Sequence, residues 1–161
     1  MIDVYIFDFD GTLSDPAHRR HLVREKPTNW PKFTRECIND APLPTMKVFE
    51  ALYNGWDDVY IFSGREDSAR ELSLDWLMKH ASMKQYTRAH LNSILFMRKK
   101  GDYRPDEIIK LEFLEALKAK YEASGEQFNI VGVFDDRTKV VDMWREQGLF
   151  VFDVNQTREV F

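Results

Sequence analysis

Short apolar runs rich in β-branched and aromatic residues alternate along the chain with longer stretches of helical spacing. Met1-Ile-Asp-Val-Tyr-Ile-Phe7 predicts a buried strand that stops at the polar sequence Asp8-Phe-Asp-Gly-Thr12. Val59-Tyr-Ile-Phe62 predicts a second strand, followed at once by Ser63-Gly-Arg65. Ser93–Met97, Phe128–Phe134 and Leu149–Phe152 predict three more, and the Phe128 run ends in Asp135-Asp136. Between them, Thr45 is placed to cap a helix through Lys47–Tyr53, with Gly55 at its C-terminal end. A helix from about Glu66 to His80 carries Leu72, Trp76 and Leu77 on one face. Pro105 and Asp106 open a long helix to about Tyr121, with Ile109, Phe113, Leu114 and Leu117 at helical spacing, and Thr138 starts a last one. The segment from Ser14 to Ala41 is polar and holds Pro16, Pro27 and Pro31; it predicts one or two short helices, with Pro31 at a first helical position.

Strands that alternate with helices predict an α/β fold, a parallel sheet covered on both faces. Ligands of such sheets bind outside the carboxyl ends of the strands. Three strands here end in reactive residues, Asp8/Asp10, Ser63/Arg65 and Asp135/Asp136, and parallel strands bring all three sets to one edge.

Composition narrows the class. The chain has 161 residues, 43% hydrophobic and 31% charged, which suits one domain with a real core. No run approaches the ~20 apolar residues of a membrane span, and the start of the chain lacks the layout of a signal peptide. The expected compartment is the cytoplasm, the host's if the chain is phage-encoded. The single Cys37 excludes an internal disulfide and reads as a packing residue. Net charge is −4, yet residues 15–40 and 84–104 together carry +7 and the rest −11. That asymmetry permits a basic surface for a polyanionic substrate, or two solvated faces.

Carboxylates gathered at one sheet edge set the chemistry. Three or four of them within a few ångströms repel by several kcal/mol at an effective dielectric of ~20. A folded chain tolerates this with a cation among them or with protons retained on some. Hard oxygen donors with room for water favour Mg2+, and Lys110 would supply a further positive charge.

In order and spacing these pieces resemble the haloacid dehalogenase superfamily of phosphotransferases across the whole chain. The resemblance implies a Rossmann-like sheet of five parallel strands, residues 1–161 forming a single domain with 14–44 as a small helical cap insertion. It implies Asp8 as nucleophile, Asp10 as general acid/base, Ser63, Gly64 and Lys110 on the phosphate oxygens, and Asp135/Asp136 as metal-binding acids alongside Asp8 and Asp10, the last also through its backbone carbonyl. Thr12 falls among the substrate-binding positions. A closer likeness is to the phosphatase half of bacteriophage polynucleotide kinase/phosphatase, carried by Arg19, Arg65, Arg98, Asp106 and the run Asp135-Asp-Arg-Thr-Lys-Val-Val-Asp-Met-Trp144. Arginine forks pair bidentately with phosphate, so these arginines are expected on the reactive or flanking phosphates. Asp106 either orients Lys110 or an arginine, or favours its helix N-terminus through the dipole.

The implied reaction is hydrolysis of a phosphomonoester through an aspartyl-phosphate, with a 3′-phosphate on DNA, RNA or a nucleotide as substrate. Nothing in the chain reads Gly-x-x-x-x-Gly-Lys-Ser/Thr, so a polynucleotide kinase or a ligase is expected as a separate partner. Alternatives are a nucleotidase or small-molecule phosphatase of the same superfamily, and a catalytically idle nucleic-acid-binding module. Trp30 and Phe33 would serve either base stacking or the cap's own miniature core.

Overall fold

The computed structural model describes residues 1–55, 57–81 and 87–158. Its centre is a sheet of five strands, all parallel: β1 (Ile2–Phe7), β4 (Asp58–Glu66), β5 (Leu95–Arg98), β6 (Phe128–Asp135) and β7 (Val151–Asp153), in the order β5-β4-β1-β6-β7. The most apolar run takes the middle place because both its faces are covered, and Val4, Ile6 and Phe7 are fully buried. Helices α3 (Thr45–Tyr53), α4 (Arg70–His80), α5 (Arg88–Ile94), α6 (Asp106–Ser124) and α7 (Thr138–Glu146) cover the sheet. None is long and apolar enough to cross a membrane.

Register makes the site. Phe7 of β1 lies opposite Ile61 of β4 on one side and Phe134 of β6 on the other. One residue further along, Asp8 therefore sits beside Asp135, and the Asp8 amide donates to the Phe134 carbonyl at 2.9 Å.

Residues 14–44 form a separate layer of short pieces. Strands β2 (Ser14–Asp15) and β3 (Ala41–Pro42) pair antiparallel and bracket the helices α1 (His21–Arg24) and α2 (Trp30–Arg35), with single 3-10 turns at Ala17–Arg19 and Glu36–Asn39. Pro31 is the second residue of α2 rather than the first, and the Asn29 side chain caps that helix by accepting from the Lys32 amide. Trp76 of α4 donates its indole N–H to the Asp40 carbonyl at 2.8 Å, tying this layer to the main one. Cys37 is buried in the second 3-10 turn, as a packing residue should be.

Several boundaries differ from the sequence reading. Strand β4 continues through Ser63, Gly64 and Arg65 to Glu66, because its pairing with β5 resumes after an irregularity at Glu66 opposite Arg98. The helix expected from Glu66 therefore begins at Arg70, and its buried residues are Ser73, Leu74, Trp76 and Leu77, with Leu72 only partly covered. Ser93 and Ile94 end α5, which Thr87 caps, and the strand begins only at Leu95. Thr45 is the first residue of α3 and caps nothing. Leu149 and Phe150 precede the last strand.

Candidate active site

Two groups of buried charge lie side by side at the carboxyl edge of the sheet. In the first, Asp8 follows β1, Asp135 ends β6 and Asp136 follows it. Their carboxylate oxygens lie within 4.8 Å of one another, the one grouping among the described residues able to hold a metal ion. Lys110, one turn into α6, donates to Asp8 Oδ1 at 2.7 Å and to Asp135 Oδ2 at 2.8 Å, and the Arg137 and Arg20 guanidinium charges also act on the group, Arg137 on Asp8 and Asp136 and Arg20 on Asp136. Trp144 from α7 and the Arg137 amide also donate to Asp135, at 3.3 and 3.2 Å. Thr12 reaches Asp8 Oδ2 at 3.4 Å.

Three carboxylates packed together out of water repel one another and resist ionisation. Burial, with Asp135 and Asp136 adding to it, pushes the Asp8 carboxyl well above the usual range despite Lys110. Burial and Asp135 push Asp136 up to about 6. Burial would drive the Lys110 ammonium down, but Asp135 and Asp8 hold it fully charged. A hard divalent cation matches this donor set: all-oxygen, short of positive charge and close enough to share one ion. Gly11 shapes the approach. It turns with φ +88°, and a Cβ there would overlap the Asp136 carboxylate.

The second group balances itself. Asp10 receives Arg19 Nη2 at 2.5 Å and both Nε and Nη2 of Arg65, at 3.0 and 2.6 Å. The other anion is Asp40, whose side chain is 0% exposed. Its Oδ1 accepts from Arg19 Nε at 2.7 Å and lies 2.9 Å from His18 Nε2; Oδ2 accepts from Arg19 Nη2, Arg65 Nη2 and the Ser14 hydroxyl at 2.7, 3.3 and 3.0 Å. Arg65 is completed by Ser73 at 2.9 Å and lies 3.8 Å from the Phe9 ring centroid. Arg19 lies 4.2 Å from that of Phe33, which Trp30 meets edge-on. Burial would raise the Asp10 carboxyl, but Arg65 and then Arg19 outweigh it and hold it well below the usual carboxylate range.

The structure thus brings Asp8, Asp10, Thr12, Ser63, Gly64, Arg65, Lys110, Asp135 and Asp136 to one edge, with Arg19 reaching it from the 14–44 layer. The Asp10 side chain stands apart from the acidic trio and faces the arginines. Ser63 is buried and accepts from the Arg65 amide at 3.1 Å; among the described residues its hydroxyl donates to no protein group. Arg98 braces the backbone instead of reaching into the site. It donates to the Gly64 carbonyl at 2.9 Å, to the Asp102 and Arg104 carbonyls at 2.8 and 2.5 Å, and to Asp106. Asp106, under Gly64, also takes the Arg137 guanidinium, and it orients arginines rather than Lys110. Much of the basic excess read in residues 15–40 and 84–104 is likewise spent internally: Arg88 pairs with Glu71 and Asp75, and Arg104 with Asp102 and Glu112. Lys84 lies outside the described residues.

Sequence reasoning missed Asp40, Ser14, Ser73 and Arg137. Arg137 follows the Asp-Asp pair directly, a signal that was available; Asp40 carries none, since only the fold brings it under Arg19.

A five-stranded parallel sheet with one buried acid after its middle strand and an acid pair at the end of the next defines a phosphatase of the haloacid dehalogenase type. A chain in the solved Pnkp1/Rnl/Hen1 complex has a TM-score of 0.71 at 32% identity, over 96% of this chain and 45% of that one. The class C acid phosphatase from Bacillus anthracis has a TM-score of 0.64 at 12% identity, over 94% of this chain and 66% of that one, a likeness of fold alone. The model of the polynucleotide kinase PNKP phosphatase domain matches residues 2–158, and the chain belongs to that family. A putative bifunctional polynucleotide kinase/RNA ligase of Autographa californica nuclear polyhedrosis virus is 29% identical over 141 residues, 86% of this chain. The chain spans 17% of that viral protein and less than half of the Pnkp1 complex chain.

Proposed function

We propose that the chain is a Mg2+-dependent phosphomonoesterase that removes 3′-phosphates from nucleic-acid ends through an aspartyl-phosphate on Asp8. The observation that carries this reading is the buried trio Asp8, Asp135 and Asp136 gathered beside Lys110, which bonds to two of them. Those three side chains would hold the ion, together with the Asp10 backbone carbonyl expected from the resemblance. When bound, it supplies the positive charge that lets an anionic nucleophile approach an anionic phosphate.

Asp8 attacks phosphorus with a carboxylate oxygen; the bond from phosphorus to the departing sugar oxygen breaks, and that oxygen takes a proton from Asp10. Lys110 and the Ser63 hydroxyl hold phosphate oxygens, where phosphoryl transfer is most sensitive to positioning. Water then attacks the phosphoryl group on Asp8 and gives its proton to Asp10; the bond from phosphorus to the Asp8 oxygen breaks, which releases inorganic phosphate and restores the Asp8 carboxylate. Asp10 clamped by Arg19 and Arg65 is in the ionised form that the second half needs. Donation in the first half requires it to loosen from those forks.

We further propose that residues 14–44 act as a cap over the edge, reaching it through Arg19, and that the protein works in the cytoplasm with a polynucleotide kinase or RNA ligase. The viral relative's name and the repair complex support that partnership.

Hydrolysis of 3′-phosphorylated oligonucleotides is expected with Mg2+, lost on chelation and in Asp8→Asn. Faster hydrolysis of 5′-phosphorylated ends or free 5′-nucleotides would overturn the end-processing reading. Binding has its own readout: at 100 times its dissociation constant Mg2+ adds ~2.7 kcal/mol of stability, a rise in melting temperature of roughly 5–10 °C. Asp136→Asn should shrink that rise, and no rise in the native chain would remove the metal from the mechanism.

A further inference from the structure

We propose that the loop joining β5 to α6, residues 99–105, is the landing platform for the nucleotides next to the reacting phosphate. The Tyr103 ring stacks on a base, and Lys99 and Lys100 take backbone phosphates. The inference rests on the nucleic-acid reading of the neighbouring site and adds to it the surface that grips the strand.

Tyr103 is 88% exposed, more than any other aromatic side chain among the exposed large hydrophobic residues described. It stands in the run Lys99-Lys-Gly-Asp-Tyr-Arg104, and its ring packs on no other ring among the described residues. The loop itself is tightly held. Gly101 turns it with φ +83°, and the Asp102 amide donates to the Lys99 carbonyl at 3.0 Å. Arg98 donates to the carbonyls on both sides of Tyr103, those of Asp102 and Arg104. The Lys100 amide donates to Asp67 at 3.1 Å, and the Arg104 side chain is clamped by Asp102 and Glu112. A tyrosine fixed on such a frame with its ring in water gives the fold nothing. It is a preorganised apolar face, and preordering lowers the entropic cost of binding.

Position connects this face to the site. The same Arg98 guanidinium that holds the two loop carbonyls donates to the Gly64 carbonyl, so the loop lies one side chain away from the Ser63–Gly64 segment of β4. Lys99 and Lys100 are exposed, and among the described residues neither ammonium forms a hydrogen bond or ion pair. An aromatic face with adjacent unpaired cations is the chemistry that binds single-stranded nucleic acid with little sequence preference.

Fluorescence anisotropy with a labelled single-stranded oligonucleotide ending in a 3′-hydroxyl tests the proposal without turnover. Tyr103→Ala should weaken binding roughly 5- to 100-fold, the range of one lost base stack, while Tyr103→Phe stays within about twofold. Replacing both Lys99 and Lys100 by Ala should lower the slope of log affinity against log salt by about 1.4, two single-strand contacts. Native affinity in Tyr103→Ala, or equal loss in Tyr103→Phe, overturns the platform. Hydrolysis of a chromogenic phosphate by the native chain is scored separately. Its failure would overturn the phosphatase reading, while the binding data still decide the platform.

Discussion

Asp40 is the residue whose replacement the structure makes most consequential outside the acidic trio. It and Asp10 are the two anions facing Arg19 and Arg65, and this second group is electrically neutral. Asp40→Asn leaves the volume unchanged but turns one carboxylate oxygen into an NH2. Each oxygen now faces at least two groups, Oδ1 towards Arg19 and His18, Oδ2 towards Arg19, Arg65 and Ser14. Whichever way the amide turns, a donor points at donors, and one guanidinium charge is left uncompensated out of water. Removing one partner of a buried ion pair costs about 3–5 kcal/mol, a large part of a total stability of about 5–15 kcal/mol. For a chain of this size that lowers the melting temperature by roughly 6–20 °C. Calorimetry and urea titration read the loss directly. Coupling gives the control: removing the excess cation as well, in Asp40→Asn with Arg19→Met, should recover at least about 1 kcal/mol relative to the sum of the single changes. An Asp40→Asn variant melting within about 2 °C of the native chain, or strictly additive losses, would refute the account of a balanced buried cluster.

Gly11→Ala should lower the melting temperature by at least roughly 4 °C, since a left-handed φ costs an L-residue about 1–2 kcal/mol and the new Cβ overlaps Asp136. It should also weaken Mg2+ binding by calorimetry; a native isotherm would show that Asp136 is not confined as described. Asp106 gives a pH signature. Burial would raise its carboxyl, but Lys110, Arg137 and Arg98 outweigh it and hold it below the ordinary value. A depressed folded pKa contributes stability that is full above the unfolded value near ~3.9 and is lost as pH falls through the folded one. Between pH 5 and pH 3 the native chain should therefore lose more stability than Asp106→Asn, and parallel melting curves over that range would count against the Arg98–Asp106–Arg137 cluster.

The sheet was legible because its strands are short runs dominated by β-branched and aromatic residues, and the acids at the ends of β1 and β6 stood out because they close those runs. The end of β4 was not, since Ser63-Gly64-Arg65 is polar in sequence yet stays in the strand, the Arg65 charge being neutralised by Asp10 and Asp40. Helix α5 escaped notice for another reason: only Leu91 and Ile94 of its seven residues are buried, too few to show a period. The arginines were legible as forks but not in their use. A guanidinium takes whatever oxygen the fold offers, and Asp40 lies twenty-one residues beyond Arg19, with nothing local to link them.

That difference separates the two charge groups by kind. Asp10, Asp40, Arg19 and Arg65 contain their own counter-charges, so this group can persist in a folded chain without help, and its natural role is to fix the position and ionisation of Asp10. Asp8, Asp135 and Asp136 gather around Lys110, which divides its bonds between two of the three, and despite it and the charges of Arg20 and Arg137 the Asp8 and Asp136 carboxyls stay raised. Burial is what these carboxyls have not overcome, and protons or a bound cation would relieve it. Protons would leave Asp8 neutral, whereas a divalent ion would leave it ionised, and the proposed attack by Asp8 on phosphorus needs the second arrangement.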